Sequence, residues 1–317
     1  MSSQQFNRRE AMQLATAGGI AVVAGVQLME TTLSAAQATS GYIDAHSHIW
    51  TRDVEKYPLA KGKTVADLAP PSFTAEELIK VAKSENVERV VLICHNPYYG
   101  FDNSYLLDSA AKYPQIFRIV GALDDSLPQP DARMRDLLKQ RVTGFRISPH
   151  VTGEKWLDSP GMKQMWQTAA DTRQAMCCLI NPEHVPQVQS MCENFRQTPV
   201  VIDHFARIGM NGEPKTGDID RLCALARFDR VYVKISAFYA LGKKQPPYHD
   251  LVPMIKRLHG EFGPERLMWA SDSPYQLQGE NTYRASISLV RDHLNFLSEK
   301  DRDWLLFKTA EQVYFFV

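Results

Sequence analysis

The hydrophobic pattern of residues 41–317 alternates between two periods. Short apolar runs rich in β-branched residues recur along the chain, and longer stretches with apolar residues every three or four positions separate them. The short runs are typical of buried strands and the longer stretches of amphipathic helices. This pattern predicts strands over residues 42–45, 89–94, 117–123, 143–147, 175–180, 200–203, 231–235 and 267–270.

Helix boundaries are marked by residues with known end preferences. Thr74 with Glu77 three positions later forms a capping box and predicts a helix over 74–84. Gly260 predicts the end of a helix over 251–259, and closing helices are predicted over 282–296 and 300–314. Strands alternating with helices in this number predict an α/β fold, a (β/α)8 TIM barrel in one domain over 41–317, with loops at 61–71 and 208–216 above its mouth.

The first forty residues differ in character from the rest. Arg8 and Arg9 precede a moderately apolar run over 11–29, and Ala36-Gln37-Ala38 follows. These features resemble a twin-arginine (Tat) signal peptide over residues 1–38, which implies cleavage after Ala38 and export to the periplasm. An amphipathic or disordered extension is the alternative.

Composition and charge limit the classes of partner that we expect for this protein. Lys plus Arg and Asp plus Glu each number 36, so no basic field favours nucleic acid, and a small-molecule substrate is expected. No other stretch reaches the roughly 20 apolar residues of a membrane span, so none is predicted in the mature protein. The adjacent residues Cys177 and Cys178 should point to opposite strand faces, which favours two small core residues over a redox pair. No feature of the sequence indicates an oligomeric state.

Three predicted strands end in ionisable side chains. His46 and His48 lie two apart on strand one and therefore project to the same side, while His204 follows strand six and Asp272 follows strand eight. The carboxyl ends of barrel strands carry the active site in this fold. Imidazole and carboxylate suit zinc, manganese or iron, so these four residues are predicted to bind one divalent ion. The alternatives are hydrogen-bonded histidines without metal, Asp272 as a loop cap, and a core His204 beside a functional Asp203.

Two cations and one loop are candidates for substrate binding. Arg146 and Lys234 each lie between apolar residues that should face the helix layer, so both are predicted to point into the barrel. A salt bridge to a loop carboxylate is the alternative for each. After strand two, the side chains of His95, Tyr98 and Asn103 are predicted to line a pocket for a ring-shaped substrate.

The strand-end motifs resemble those of a known superfamily. D-x-H-x-H at 44–48, I-D-H at 202–204 and W-x-S-D-x-P at 269–274 are similar to the amidohydrolase superfamily. G-F-D-N at 100–103, G-F-R at 144–146 and K-I-S at 234–236 are similar to its sugar-lactone and 2-pyrone-4,6-dicarboxylate lactonase branch.

The resemblance implies a hydrolase that opens a cyclic ester, with Asp272 and His204 as catalytic residues. It implies His46, His48, His204 and Asp272 as the ligands of one ion, with zinc expected and manganese or a metal-free site as alternatives. Asp272 would take a proton from the attacking water, and the histidines or their ion would polarise the carbonyl. A metal-dependent decarboxylase of an aromatic or unsaturated acid is the second hypothesis, and an exported binding protein without catalysis is the third.

Overall fold

The computed structural model describes residues 41–152 and 155–317. Within them, eight parallel strands form one sheet in which each strand pairs with the next along the chain. The strands are β1 Tyr42–Ser47, β2 Val87–Ile93, β3 Phe117–Gly121, β4 Val142–Ile147, β5 Ala175–Cys178, β6 Val200–Ile202, β7 Val231–Ile235 and β8 Leu267–Trp269. The eight predicted strands are confirmed, whereas the predicted signal peptide over 1–38 lies outside the described residues.

The two faces of each strand meet different layers, as the alternation of side chains requires. In β7, Val233 and Ile235 pack with the helices, whereas Tyr232 joins the cluster inside the barrel. Cys178 and Cys177 divide in the same way between the outer layer and the interior, so both are small core residues as predicted. Strands buried on both faces explain why their sequences read as continuous apolar runs.

The barrel closes where the end of β1 meets the segment after β8. The His48 N–H donates to the Ser273 carbonyl at 2.7 Å, and the Asp272 N–H donates to the His46 carbonyl at 2.9 Å. These bonds tie together two chain segments that carry predicted ligands. The predicted (β/α)8 TIM-barrel architecture is thereby confirmed.

One main helix follows each of the first seven strands. These helices are α1 Ala75–Lys83, α2 Ser104–Lys112, α3 Pro130–Leu138, α4 Pro160–Thr172, α5 Val185–Asn194, α6 Thr216–Cys223 and α7 Val252–Phe262, and α8 Tyr283–Ser288, α9 Glu299–Asp303 and α10 Thr309–Tyr314 follow β8. The capping box of Thr74 and Glu77 is present at the start of α1. No helix of the described residues is long and apolar enough to cross a membrane.

The predicted end of α7 at Gly260 is wrong, because the helix continues to Phe262 and ends before Gly263. Phe262 is 3 % exposed, and burying its ring outweighs the roughly 1 kcal/mol that a glycine costs inside a helix. Gly263 has a φ of 73°, a conformation that glycine adopts without strain.

Inward-facing strand side chains and α10 together fill the inside of the barrel. Ala310, Val313 and Tyr314 of this helix belong to the interior cluster, and the Tyr314 ring centroid lies 5.4 Å from the Lys234 Nζ. Apolar packing therefore occupies the interior beneath the ionisable groups. A cavity of about 770 Å³ lies above them and reaches solvent.

Candidate active site

The four predicted ligands come together at the floor of the cavity, which His48, His204 and Asp272 line, while His46 is buried next to them. Asp272 Oδ1 lies 3.4 Å from the Nε2 atoms of both His46 and His48, and its Oδ2 lies 3.8 Å from His204 Nε2. The two Nε2 atoms of His46 and His48 are 3.3 Å apart. Three imidazole nitrogens from two strand ends thus converge on one carboxylate.

The opposite nitrogen of each ring faces a polar partner. His48 Nδ1 lies 3.0 Å from the Ile93 carbonyl, and His204 Nδ1 lies 2.8 Å from the Ser236 hydroxyl. His46 Nδ1 lies 3.5 Å from Asp203 Oδ1. Such partners orient a ligating histidine and leave the Nε2 lone pair available to an ion.

Three of the four predicted ligands, His46, His204 and Asp272, fit one divalent cation, and His48 is outside this group. Ligand atoms of His46, His204 and Asp272 lie within 4.8 Å of one another, and all three side chains are buried. Imidazole nitrogen and carboxylate oxygen are the donors that catalytic zinc uses in proteins. The described residues thus hold a His/His/Asp group able to bind a metal ion.

Burial keeps the histidines neutral. It lowers the pKa of His48 to about 3, an effect that the nearby Arg146 increases, and it lowers the pKa of His204 to about 4. The pKa of His46 also falls well below its ordinary value, first through burial and then through the adjacent Lys234. Neutral imidazole is the form that coordinates a metal.

Left-handed backbone presents two of the four residues. His204 begins a run of four non-glycine residues, 204–207, with φ between 52° and 56°, and Asp272 has a φ of 61°. This conformation is unfavourable for residues with a Cβ, and it concentrates at functional sites. The hydrogen bond from the Asp272 N–H to β1 holds this residue in place.

Arg146 and Lys234 both point inward as predicted, but only Arg146 lines the cavity. Its Nη1 lies 3.4 Å from His48 Nε2 and its Nε lies 4.0 Å from Asp203 Oδ2. Lys234 is fully buried, with Nζ 3.0 Å from Asp203 Oδ1 and 3.3 Å from His46 Nδ1. The predicted substrate contact of Lys234 is corrected, because its ammonium is engaged by Asp203 behind His46.

Asp203 is ionised within this network. Burial by itself would raise the pKa of its carboxyl, but Lys234, His46 and Arg146 together hold that pKa well below the ordinary value. The carboxylate is an internal anion behind the histidines, and it is absent from the cavity wall. Asp203 therefore lies where it can orient His46, one of the predicted metal ligands.

The loop after β2 contributes less to the cavity than predicted. His95 lines the cavity, and its Nε2 lies 2.5 Å from the Tyr275 hydroxyl. Tyr98 packs behind His95, and its hydroxyl accepts the Ala69 N–H. The Asn103 amide bonds the backbone N–H and carbonyl of Ala122, both at 2.8 Å. The predicted substrate contacts of Tyr98 and Asn103 are therefore corrected, since neither is among the lining residues.

Of the two loops predicted above the barrel mouth, one contributes to the cavity lining and the other does not. Met210, from the loop predicted over 208–216, lines the cavity. The loop predicted over 61–71 lies behind the wall, where the Trp50 indole donates to the Pro70 carbonyl at 2.7 Å. It supports the cavity without lining it.

Three ionisable lining side chains, Tyr239, Tyr275 and Arg207, were not found from the sequence. The Tyr239 hydroxyl donates to Asp272 Oδ2 at 2.7 Å, and burial followed by the Asp272 charge raises the pKa of this phenol. Tyr275 and Arg207 complete the group. All three follow strand ends, and this position was the available signal.

Comparison with known proteins shows the family. A family model described as amidohydrolase matches residues 43–316. A 4-sulfomuconolactone hydrolase of Rhizobium radiobacter is 28% identical over 74% of this chain and 76% of its own length. An L-fucono-1,5-lactonase of Burkholderia ambifaria is 24% identical over 73% of this chain and 80% of its own.

Solved structures share the fold. The chain resembles a probable 2-pyrone-4,6-dicarboxylic acid hydrolase of Acinetobacter baumannii with citric acid bound, with a TM-score of 0.73, 19% identity, and coverage of 87% of this chain and 100% of that one. It also resembles a zinc-bound amidohydrolase of Burkholderia multivorans, with a TM-score of 0.70, 20% identity, and coverage of 86% and 98%.

Proposed function

The chain belongs to the amidohydrolase family, and we propose that it hydrolyses a lactone at the floor of the cavity. The observation that carries this proposal is the convergence of the Nε2 atoms of His46, His48 and His204 on Asp272 beneath an open cavity. Two relatives named for the hydrolysis of lactones support this choice of reaction.

Asp272 is the proposed general base. Its Oδ2 accepts the Tyr239 hydroxyl, which orients the carboxylate, and its Oδ1 faces the histidines. The carboxylate takes a proton from water as the water oxygen bonds to the lactone carbonyl carbon. The ring C–O bond then breaks, and Asp272 returns the proton to the leaving alkoxide to give a hydroxy acid.

Charge at the carbonyl oxygen is stabilised by groups already in place. Arg146 lines the cavity and presents a guanidinium next to His48, so it can hold an oxyanion or a substrate carboxylate. His46, His48, His204 and Asp272 would hold a divalent ion, for which we propose zinc, with manganese as the alternative. Such an ion supplies Lewis acidity for the carbonyl and for water.

The test is the Asp272→Asn variant in a proton-release assay over sugar lactones and pyrone carboxylates. Loss of the base should lower kcat by roughly 10²–10⁴-fold while the melting temperature stays within a few degrees. Asp303→Asn, which alters an exposed carboxylate paired with Lys308, is the matched control and should retain full activity. Full activity in Asp272→Asn would refute its assignment.

The same assay separates the other hypotheses. Release of carbon dioxide without lactone opening would identify a decarboxylase, and no turnover of any kind would favour a binding protein. Elemental analysis before and after chelation would show whether one zinc or manganese is bound. Chelator-resistant activity would instead indicate a metal-free histidine and aspartate site.

We propose in addition that the protein is exported through the Tat pathway to the periplasm. The support is the sequence of residues 1–38, with Arg8-Arg9 before an apolar run and Ala36-Gln37-Ala38 at its end. Replacement of both arginines by lysine should retain the precursor in the cytoplasm, measured by fractionation and mass of the amino terminus. Unchanged export would contradict the proposed route.

A further inference from the structure

Side chains at the open end of the cavity differ in polarity from those at its floor. The ionisable lining groups are all buried or half-buried; they are His48, His95, Arg146, His204, Arg207, Tyr239, Asp272 and Tyr275. The most exposed lining residues are all apolar, and they come from the loops after β2, β4 and β6. We call these four residues the apolar mouth: Pro97, Phe101, Val151 and Met210.

Three of these side chains are among the most exposed large apolar residues in the described part of the chain. Phe101 is 40 %, Val151 43 % and Met210 37 % exposed. In the described part of the chain, Leu127 and Val317 are the other two large apolar side chains exposed to this extent. Single exposed apolar residues are ordinary, but several that line one cavity are typical of a binding surface.

The volume of the cavity exceeds what a bare ring needs. A cavity of about 770 Å³ lies within the range of roughly 300–1,000 Å³ that is typical of sites for drug-sized ligands, and a six-membered lactone fills only part of it. A ring whose carbonyl lies at Asp272 leaves the upper part of the cavity to another group. Leu179 and Leu241 are further apolar side chains of the lining that such a group could contact.

We propose that the substrate is a lactone that carries an apolar substituent, an alkyl chain or an aryl group, which the apolar mouth binds while the ring lies at the floor. The proposal rests on the lactonase function proposed above. Its physical basis is that water leaves both surfaces when the substituent covers the mouth, and each buried methylene strengthens binding by roughly fourfold.

A matched pair of substrates tests the proposal. δ-Valerolactone is a bare ring, and δ-octalactone carries a propyl group on the same ring. We expect kcat/KM for δ-octalactone to exceed that for δ-valerolactone by about 50-fold. Equal values, or a preference for the polar glucono-1,5-lactone over both, would overturn the proposal.

Substitutions at the apolar mouth test whether these side chains cause the preference for the propyl-substituted lactone. Phe101→Ser and Met210→Ser should each lower the ratio of the two kcat/KM values by about tenfold, because each removes part of the apolar surface. Leu127→Ser is the matched control, since Leu127 is 42 % exposed but is not among the lining residues, and it should leave the ratio unchanged. An unchanged ratio in both mouth variants would also overturn the proposal.

A binding measurement keeps the two proposals separate. Cyclohexanones with and without a propyl group contain no ester bond, and calorimetry measures their Kd whether or not lactones are hydrolysed. Tighter binding of the propyl compound, weakened in Phe101→Ser, would support the apolar mouth even if no lactone turned over. Hydrolysis of lactones with no gain from the propyl group would support the reaction and refute the mouth.

Discussion

At the scale of single residues, the site depends on charges buried behind its histidines. Lys234 and Asp203 are both fully buried and lie 3.0 Å apart, next to His46 Nδ1. A buried ion pair adds little net stability, but removal of one partner leaves an uncompensated charge in a medium of low polarity. Loss of either partner should therefore measurably lower the free energy of unfolding.

Replacement of Lys234 by Met should lower the free energy of unfolding by roughly 3–5 kcal/mol, because the Asp203 carboxylate loses its main counter-charge. Urea unfolding measures the change. The double variant Lys234→Met with Asp203→Asn should regain part of the loss, and Lys139→Met at an exposed pair with Asp136 should cause no measurable change. A double variant less stable than Lys234→Met would contradict the pairing.

At the scale of elements, the joint between β1 and β8 positions the ligands. Asp44 Oδ1 accepts the backbone N–H groups of His46 at 3.1 Å and Ser271 at 2.9 Å. Its Oδ2 accepts the hydroxyls of Ser47 at 2.8 Å and Tyr283 at 2.9 Å. One carboxylate thus bridges the two chain segments that carry His46, His48 and Asp272.

Asp44→Ala should lower the free energy of unfolding by about 3 kcal/mol and weaken zinc binding by roughly 10–100-fold, because several donors lose their acceptor and the ligands lose their register. Unfolding of the metal-free protein and competition with a chromophoric chelator measure the two effects.

Asp44→Asn is the matched variant for this experiment. It keeps one carbonyl oxygen for the backbone N–H groups of His46 and Ser271, and its amide can donate to the hydroxyls. It should recover most of the zinc affinity. Equal loss of affinity in both variants would indicate that acceptance of the two backbone groups is not what positions the ligands.

At the scale of the whole molecule, packing places neutral histidines in an interior that disfavours their protonation. His48 has a pKa of about 3 and His204 a pKa of about 4 in the folded protein, because both are buried, against about 6.5 in an unfolded chain. Between these values the unfolded state binds more protons. Stability therefore rises with pH from about 4 to 6.5 and is retained above that range.

Urea unfolding of the chelator-treated protein should show this dependence, with a slope of up to about 1.4 kcal/mol per pH unit for each histidine. The free energy of unfolding should fall as the pH drops from 6.5 to 4. His204→Gln, which cannot titrate, should flatten part of the curve. A pH-independent free energy in the unmodified protein would contradict burial of neutral rings.

Local periodicity was sufficient to predict the barrel. All eight strands were predicted within a few residues, because strands buried on both faces need continuous apolar runs and helices need a different period. The convergence of His46, His48, His204 and Asp272 also followed from sequence, since the carboxyl ends of parallel barrel strands share one rim. The alternation of side chains along β4 and β7 was enough to predict that Arg146 and Lys234 point inward.

Tertiary structure alone decided how deep each inward side chain lies and what it meets. Lys234 points inward as predicted, but Asp203, from a neighbouring strand end, engages it before a substrate can. Asn103 and Tyr98 bond backbone groups distant in sequence, at Ala122 and Ala69, which no local pattern encodes. The Tyr239 bond to Asp272 and the exposed mouth at Phe101 and Met210 depend on loop conformations, because contacts between loops are set by three-dimensional packing and not by residue spacing.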